Sequence, residues 1–373
     1  MQHSTWVEIS KQALVNNIKQ FRKIYGKASL LAVVKSNAYG HGYGLVSRAI
    51  ETQVDYFGTA NLDEALELRK NKVSKPILVL NYYGLDLVEE AIKQNISLVV
   101  YDWVQIKTIA NAAKRLRMQA RVHVKIDTGT SRLGVMPREA LKFVTDLAQY
   151  KNIEIEGIFS HFAASEDNAG YTQMQFDKFS LLLKQIKDAG INIEYQHIAC
   201  TASSLAFPQT RSNLVRLGIG TYGLWSYKSV ASTLKKYKGF RLAPALSWKT
   251  RVVSVRTVPA NTYIGYGLTY KTTRTTKLAV LPVGYYEGYD RRFSNNSEVL
   301  IGGKRCKVLG RVFMNLLIAD ATNVKKIKTG DEAVLIGRQG KLEITAESLA
   351  AKINTINYEV VARINPLIPR ILK

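Results

Sequence analysis

Lys35 follows the apolar run Leu30-Leu31-Ala32-Val33-Val34 and opens the stretch Ser36-Asn37-Ala38-Tyr39-Gly40-His41-Gly42-Tyr43-Gly44. A lysine at the mouth of a buried strand is desolvated, which disfavours the ammonium and frees the neutral amine. The neutral amine is the form that condenses with an aldehyde such as pyridoxal phosphate. The glycines let the backbone approach a ligand closely, and Tyr39 offers a hydroxyl to an anion. An ordinary reading stands beside this one, because strands often end in a solvated lysine and Gly-Tyr stretches make turns.

Other residues with chemical character recur at comparable places. Lys125 and Asp127 close an apolar run and precede Thr128-Gly129-Thr130-Ser131-Arg132. His161 ends Gly157-Ile158-Phe159-Ser160-His161, Cys200-Thr201-Ala202-Ser203 follow another run, and Arg216 lies in Val215-Arg216-Leu217-Gly218-Ile219-Gly220. Singly, His161 reads as a core histidine, Arg216 as a structural ion-pair partner and Asp127 as the cap of the turn behind it.

The elements that must position these residues alternate. Apolar runs at 30–35, 55–60, 77–81, 97–101, 121–126, 155–160, 195–200 and 214–217 predict strands. Amphipathic segments at 10–26, 63–70, 86–94, 103–117, 138–149 and 173–189 predict helices, the first with Leu14, Ile18, Phe21 and Tyr25 on one face. Eight strands alternating with helices predict an α/β fold, a (β/α)8 TIM-type barrel over residues 1–238. In such a barrel chemistry sits at the C-terminal ends of the strands, where all the residues above fall. From 239 to 373 short strands with turn signals predict a β-rich C-terminal domain, with runs at 246–257, 277–283, 297–301, 305–312, 315–320 and 332–336 and a helix near 345–353. The first few residues of the chain are candidates to pair with that second domain.

Composition narrows the function classes. Two cysteines in 373 residues make no disulfide framework, and no spacing of histidine and carboxylate suggests a metal site. No apolar run is long enough to span a membrane, and Met1–Trp6 lacks a leader pattern, so a cytoplasmic protein is expected. The formal net charge of +24 raises the question of nucleic acid. The basic residues are spread along the chain, and short clusters such as Lys325-Lys326-Ile327-Lys328 accompany no nucleic-acid-binding motif, so no specific nucleic-acid partner is expected.

In this order the motifs resemble the alanine racemase family, the barrel class of pyridoxal-phosphate enzymes, over nearly the whole chain. The resemblance is densest in Ala32–Gly42 and Lys125-Ile126-Asp127-Thr128-Gly129, and continues in Arg132-Leu133-Gly134, Val215–Ile219 and Tyr222-Gly223-Leu224. It extends into the second domain with Gly265-Tyr266-Gly267, Pro282-Val283-Gly284-Tyr285, Gly310–Asn315 and Asn357-Tyr358-Glu359-Val360.

The resemblance implies a homodimer that interconverts L- and D-alanine for peptidoglycan, using pyridoxal 5'-phosphate and two bases on opposite faces of the α-carbon. Lys35 would hold the cofactor and be one base. Tyr266, supplied by the partner subunit, would be the other. Arg216 would face the pyridine nitrogen, oriented by His161, and Arg132 and Met314 would lie at the substrate carboxylate. Tyr39, Thr201, Gly218, Ile219 and Tyr358 would hold the phosphate, Lys125 matches a lysine carbamylated in some members, and Tyr285 would line the access path. Three residues depart from the pattern: Asn315 for the common aspartate, Thr201 for serine and Cys200 for asparagine. A serine or broad-specificity racemase and a non-catalytic pyridoxal-phosphate-binding barrel are the competing readings.

Overall fold

Runs rich in valine, isoleucine and leucine favour strands buried on both faces, and here they line up side by side in parallel. Eight parallel strands run Ser29–Val33, Tyr56–Thr59, Ile77–Val79, Ile96–Val100, Ala120–Lys125, Ile153–Phe159, Tyr195–His197 and Leu214–Leu217. Each pairs with the next as far as the seventh, and the eighth returns to the first with Leu30 opposite Val215 and Leu31 opposite Arg216. Across the remaining seam, between seventh and eighth strands, the Arg216 N–H donates to the Ala199 carbonyl at 3.2 Å. The result is a nearly closed TIM-type barrel. The structure is a computed structural model and describes residues 3–225 and 236–373; Met1, Gln2 and 226–235 fall inside the expected 1–238 domain but outside the described residues.

Helices cover the strands where the amphipathic pattern places them. Lys11–Tyr25 buries Leu14, Ile18, Phe21 and Tyr25, the face read from the sequence. Trp103–Leu116 starts at Asp102, whose carboxylate accepts the Gln105 N–H at 2.8 Å, and stops at Arg117 in the left-handed conformation. Three short helices escape the periodicity reading, Tyr43–Ile50, Thr201–Ala206 and Asn357–Ala362.

The chain divides into two compact units. One comprises Ala13–Ala38 and Val46–Ala243, the other the chain start through Gln12, Tyr39–Leu45 and Pro244–Lys373. In the second unit Thr5–Ile9 pairs antiparallel with Leu246–Arg251 and parallel with Arg370–Leu372. Glu332–Gln339, Glu298–Ile301 and Lys304–Lys307 continue that sheet, and Ser254–Val258, Thr276–Leu281 and Leu317–Asp320 form a separate three-stranded one. The single run expected at 246–257 is therefore two strands in two sheets, broken at Val252-Val253. The run expected at 305–312 is strand only through Lys307, because Gly310 takes a positive φ of 73° and turns the chain.

The segment Tyr39–Leu45 is bound tightly into this second unit. Arg370 donates to the Gly40 carbonyl from Nε at 3.1 Å and Nη2 at 3.0 Å. A Cβ on Gly40 would lie 2.0 Å from the Val361 oxygen, so only glycine fits. Among the described residues no helix is long and apolar enough to cross a membrane, and no cluster of histidine, cysteine or carboxylate could hold a metal ion.

Candidate active site

Lys35 stands two residues beyond the first barrel strand, at the start of an unusual turn. Ser36, Asn37, Ala38 and Tyr39 all take positive φ of 53–55°. Side chains disfavour this conformation by about 1 kcal/mol or more each, so something must hold it. Glu64 does much of this, accepting the Ser36 N–H on one carboxylate oxygen at 2.5 Å and the Ala60 N–H on the other at 2.8 Å. Glu64 is itself set by the start of helix Leu62–Lys70, where the Asn61 side chain accepts its N–H. The Lys35 amine is half-buried, and its pKa is lowered by burial and then by the positive charges of Arg132 and Arg216, against the opposing pull of Glu64.

Lys125 ends the fifth barrel strand almost fully buried and donates to the Leu80 carbonyl at 3.1 Å. Burial, then Arg132, Arg216 and Lys35, bring its pKa down to about 7. Asp127, two residues on, accepts four successive backbone N–H groups, from Gly129, Thr130 and Ser131 at 3.0, 2.7 and 3.0 Å and from Arg132 at 2.8 Å. Burial alone would raise its pKa, and these bonds outweigh burial and lower it. The ordinary reading of Asp127 as a turn cap is thus correct, and the turn it caps is the one that carries Arg132.

Arg216 is buried in the eighth strand. Its Nη1 donates to His197 Nδ1 at 2.7 Å, and its Nη2 to the Ser160 and Ile198 carbonyls at 2.7 and 2.9 Å. Nη2 also lies 3.2 Å from His161 Nδ1, so the expected His161–Arg216 bond is present in the barrel. His161 is positioned through its backbone, whose carbonyl accepts from Thr130 Oγ1 at 2.8 Å and Gln175 Nε2 at 3.1 Å. Burial, followed by the surrounding cations Arg216, Arg132, Lys35 and Lys125, pushes the His161 pKa well down, so its imidazole is neutral.

Thr201 opens a six-residue helix beside the eighth strand's exit. Its Oγ1 accepts the Gly218 N–H at 3.0 Å, which leaves the hydroxyl proton to be aimed at an acceptor. A Cβ on Gly220 would lie 2.6 Å from the Phe21 ring and 2.8 Å from Thr201 Cγ2, so the Gly218-Ile219-Gly220 backbone can sit this close only without a side chain. This unit alone thus gathers Lys35, Lys125, Arg132, His161, Thr201, Arg216, Gly218 and Ile219 at strand exits, a cationic rim suited to an anionic, carbonyl-bearing ligand.

The second unit holds the other expected residues. The Tyr39 and Tyr358 rings lie 5.9 Å apart. Tyr266 sits between Gly265 and Gly267, both at positive φ, and is 74% exposed, its ring edge-on to Phe313 at 5.0 Å. Met314 and Tyr285 are also exposed. Asn315 donates to Glu287 Oε1 at 2.8 Å.

The family models for the alanine racemase N-terminal and C-terminal domains match residues 9–226 and 245–372. The chain belongs to the alanine racemase family. The alanine racemase of Symbiobacterium thermophilum is 39% identical over 98% of this chain and 96% of its own length. That of Methanococcus maripaludis is 38% identical over 99% and 98%. Among solved structures, the Clostridium difficile 630 alanine racemase superposes with a TM-score of 0.93 at 33% identity, covering 100% of this chain and 96% of that one. A histidine racemase from Leuconostoc mesenteroides shares the fold at a TM-score of 0.90 and 25% identity, over 100% and 98%.

This amino-acid racemase also contains functional candidates that motif reading passed over. Glu64 and His197 bond directly to the Lys35 turn and to Arg216. Their signals were present but quiet. Glu64 looks like ordinary first-turn helix acidity, and His197 closes a short run in which nothing marks it as facing inward.

Proposed function

We propose that the chain interconverts L- and D-alanine with pyridoxal phosphate, in a dimer whose two bases come from different copies, and so supplies D-alanine for peptidoglycan. The residues fit the cofactor: a partly desolvated lysine for its aldehyde, a hydroxyl and tight glycine backbone for its phosphate, and a fixed guanidinium for its ring. When bound, this group takes up the substrate amine and withdraws electrons from the α-carbon.

The chain's residues do the rest. Lys35, its ammonium disfavoured, moves the α-proton on one face. Arg132, held by the Asp127-capped turn, steers the substrate carboxylate, with Met314 alongside. Arg216 would face the ring nitrogen and, as a guanidinium that does not readily surrender a proton, would limit electron withdrawal into the ring and so favour return of a proton to the α-carbon. Thr201, Gly218 and Ile219, with Tyr39 and Tyr358, hold the phosphate, and Tyr285 lines the access path. Lys125, which burial brings within reach of its neutral form near pH 7, takes up CO2 with loss of a proton to give a carbamate that faces Arg132.

Tyr266 is the base on the opposite face, contributed by a second copy. Its exposure supports this, and so does its company. Leu268, Tyr286 and Leu316 are exposed too, and Tyr285 and Tyr286 donate backbone N–H groups to the Phe313 and Met314 carbonyls, tying these loops into one apolar face.

The single observation that carries the proposal is the Lys35 amine at a strained strand exit beneath a rim of fixed cations. The test is α-proton exchange followed by NMR in heavy water, with the cofactor and a panel of L-amino acids, read together with chiral analysis. Exchange with inversion on alanine alone is expected. Inversion on serine or larger side chains would replace alanine as the substrate, an outcome given weight by the histidine racemase fold, and no exchange at all would refute the proposal.

A further inference from the structure

Behind Arg216 the barrel interior holds a continuous chain of polar side chains. Arg216 Nη1 donates to His197 Nδ1 at 2.7 Å, His197 Nε2 meets His123 Nδ1 at 3.0 Å, and His123 Nε2 meets Glu156 Oε2 at 3.1 Å. Tyr56 Oη and Ser97 Oγ also donate to that carboxylate oxygen, at 2.7 and 2.5 Å. Every member is buried, with His123 and His197 at zero exposure.

The proton arrangement along the two imidazoles has only one solution. A guanidinium has no acceptor, so His197 Nδ1 must accept and its proton must lie on Nε2. That proton points at His123 Nδ1, which must accept in turn, so the His123 proton lies on Nε2 and points at Glu156. The reverse direction would strip His197 of both protons. Burial alone would raise the Glu156 pKa, but His123, Ser97 and Tyr56 bring it down to about 2, so Glu156 is the carboxylate and its negative charge ends a line that begins at a positive one.

The barrel departs from regularity to build this line. Val122 pairs with Ile155 but His123 pairs with Gly157, so Glu156 is the extra residue of a β-bulge, and a bulge re-aims the side chain it carries. A Cβ on Gly157 would lie 2.2 Å from His123 Nδ1, so the glycine makes room for the imidazole. The His197 ring is stacked on Phe159 at 4.8 Å, which fixes its plane.

We propose that Glu156, acting through His123 and His197, is a positioning residue for Arg216: it fixes the two imidazole tautomers and locks the guanidinium as a donor of set direction. The catalytic consequence rests on the function proposed above; the tautomers do not. A guanidinium whose bonds to the imidazole line can turn no longer holds an N–H in one set direction. Loss of the Glu156 acceptor lets both imidazoles reverse, so Arg216 loses its aim, the ring nitrogen is open to a proton from water, and the share of transamination relative to racemisation rises.

The test has two parts on the full-length enzyme loaded with pyridoxal phosphate. Neutron diffraction from a deuterium-exchanged crystal is expected to place deuterium on Nε2 of both His123 and His197 and none on Glu156. A deuteron on Nδ1 of either ring, or on the Glu156 carboxyl, would overturn the proposal. In Glu156→Gln, kcat/KM for racemisation should fall about tenfold, the scale of one lost hydrogen bond to a charged group, with KM for alanine nearly unchanged. Transamination events per racemisation should rise in the same variant. A Glu156→Gln enzyme that melts earlier with its transamination share unchanged would reduce Glu156 to a structural role and refute the proposal. Tautomers as expected in a protein that racemises nothing would refute the proposed function and leave the relay standing.

Discussion

The two proposed bases sit in opposite kinds of surroundings. Lys35 is half-buried at a strand exit, on four consecutive left-handed residues braced by Glu64 and facing Arg132 and Arg216. Tyr266 projects from a Gly-Tyr-Gly turn, 74% exposed, with one aromatic neighbour, Phe313. The difference teaches where each base gets its environment. The lysine's pKa is lowered by its own barrel, whereas the tyrosine stands exposed on its turn, and in the proposed dimer its surroundings would come from the second copy.

Removing either base tests that contrast at its strongest. Lys35→Ala should abolish turnover and the absorbance of the lysine-bound cofactor together, as read by chiral analysis and a visible spectrum. Tyr266→Phe should keep the absorbance and lower racemisation by about 10²–10⁴-fold, the span of a lost general base. Loss of cofactor binding in Tyr266→Phe would erase the distinction between the two environments.

Weaker perturbations sharpen it. Glu64→Ala removes the brace of the Lys35 turn and leaves two backbone donors without their partner, so kcat/KM should fall about tenfold and stability by about 1–3 kcal/mol. Urea unfolding and steady-state rates check both. Lys125 gives a pH signature in CO2-free buffer, where it carries no carbamate and titrates as a free amine. Its pKa is about 7 when folded against an ordinary 10.5. Below about pH 7 it is protonated in both states and its burial costs the fold in full. Between about 7 and 10.5 the unfolded chain holds the extra proton, so stability rises with pH across that window. Thermal melts should show this rise in the wild type and less of it in Lys125→Met. The smallest effect is expected from Asn315→Asp, which sets a carboxylate against Glu287 and should change kcat/KM by less than about threefold, a rim-charge effect reduced by added salt.

The sequence carried the barrel well, for a reason particular to parallel strands. Their two buried faces leave nearly unbroken apolar runs such as Ile96–Val100, and all eight were visible within a few residues of their ends. Strand exits were visible for the same reason, since Lys35, Asp127 and His161 interrupt such runs. Interior polar residues were not. Glu156 alternates with Glu154 in Ile153-Glu154-Ile155-Glu156, and only the bulge turns one inward. The second unit was harder still: the first residues were candidates to pair with it, but no local pattern announces Arg370–Leu372 as a strand or as the parallel partner of Thr5–Ile9. Likewise the bonds of Arg370 to the Gly40 carbonyl depend wholly on a long-range contact that no local pattern marks.

The division of labour between the two bases is tested most directly by mixing Lys35→Ala with Tyr266→Phe after mild dissociation and reassociation. Lys35→Ala alone is expected to be inactive and Tyr266→Phe alone to run at about a hundredth of wild type or less. If Tyr266 serves the partner's site, a mixed dimer carries both defects in one site and none in the other, so activity should return to roughly a quarter of wild type at equal mixing of a symmetric dimer. Mixed dimers that form, as shown by native mass spectrometry, yet stay inactive would contradict the placement of Tyr266 in the second copy's site.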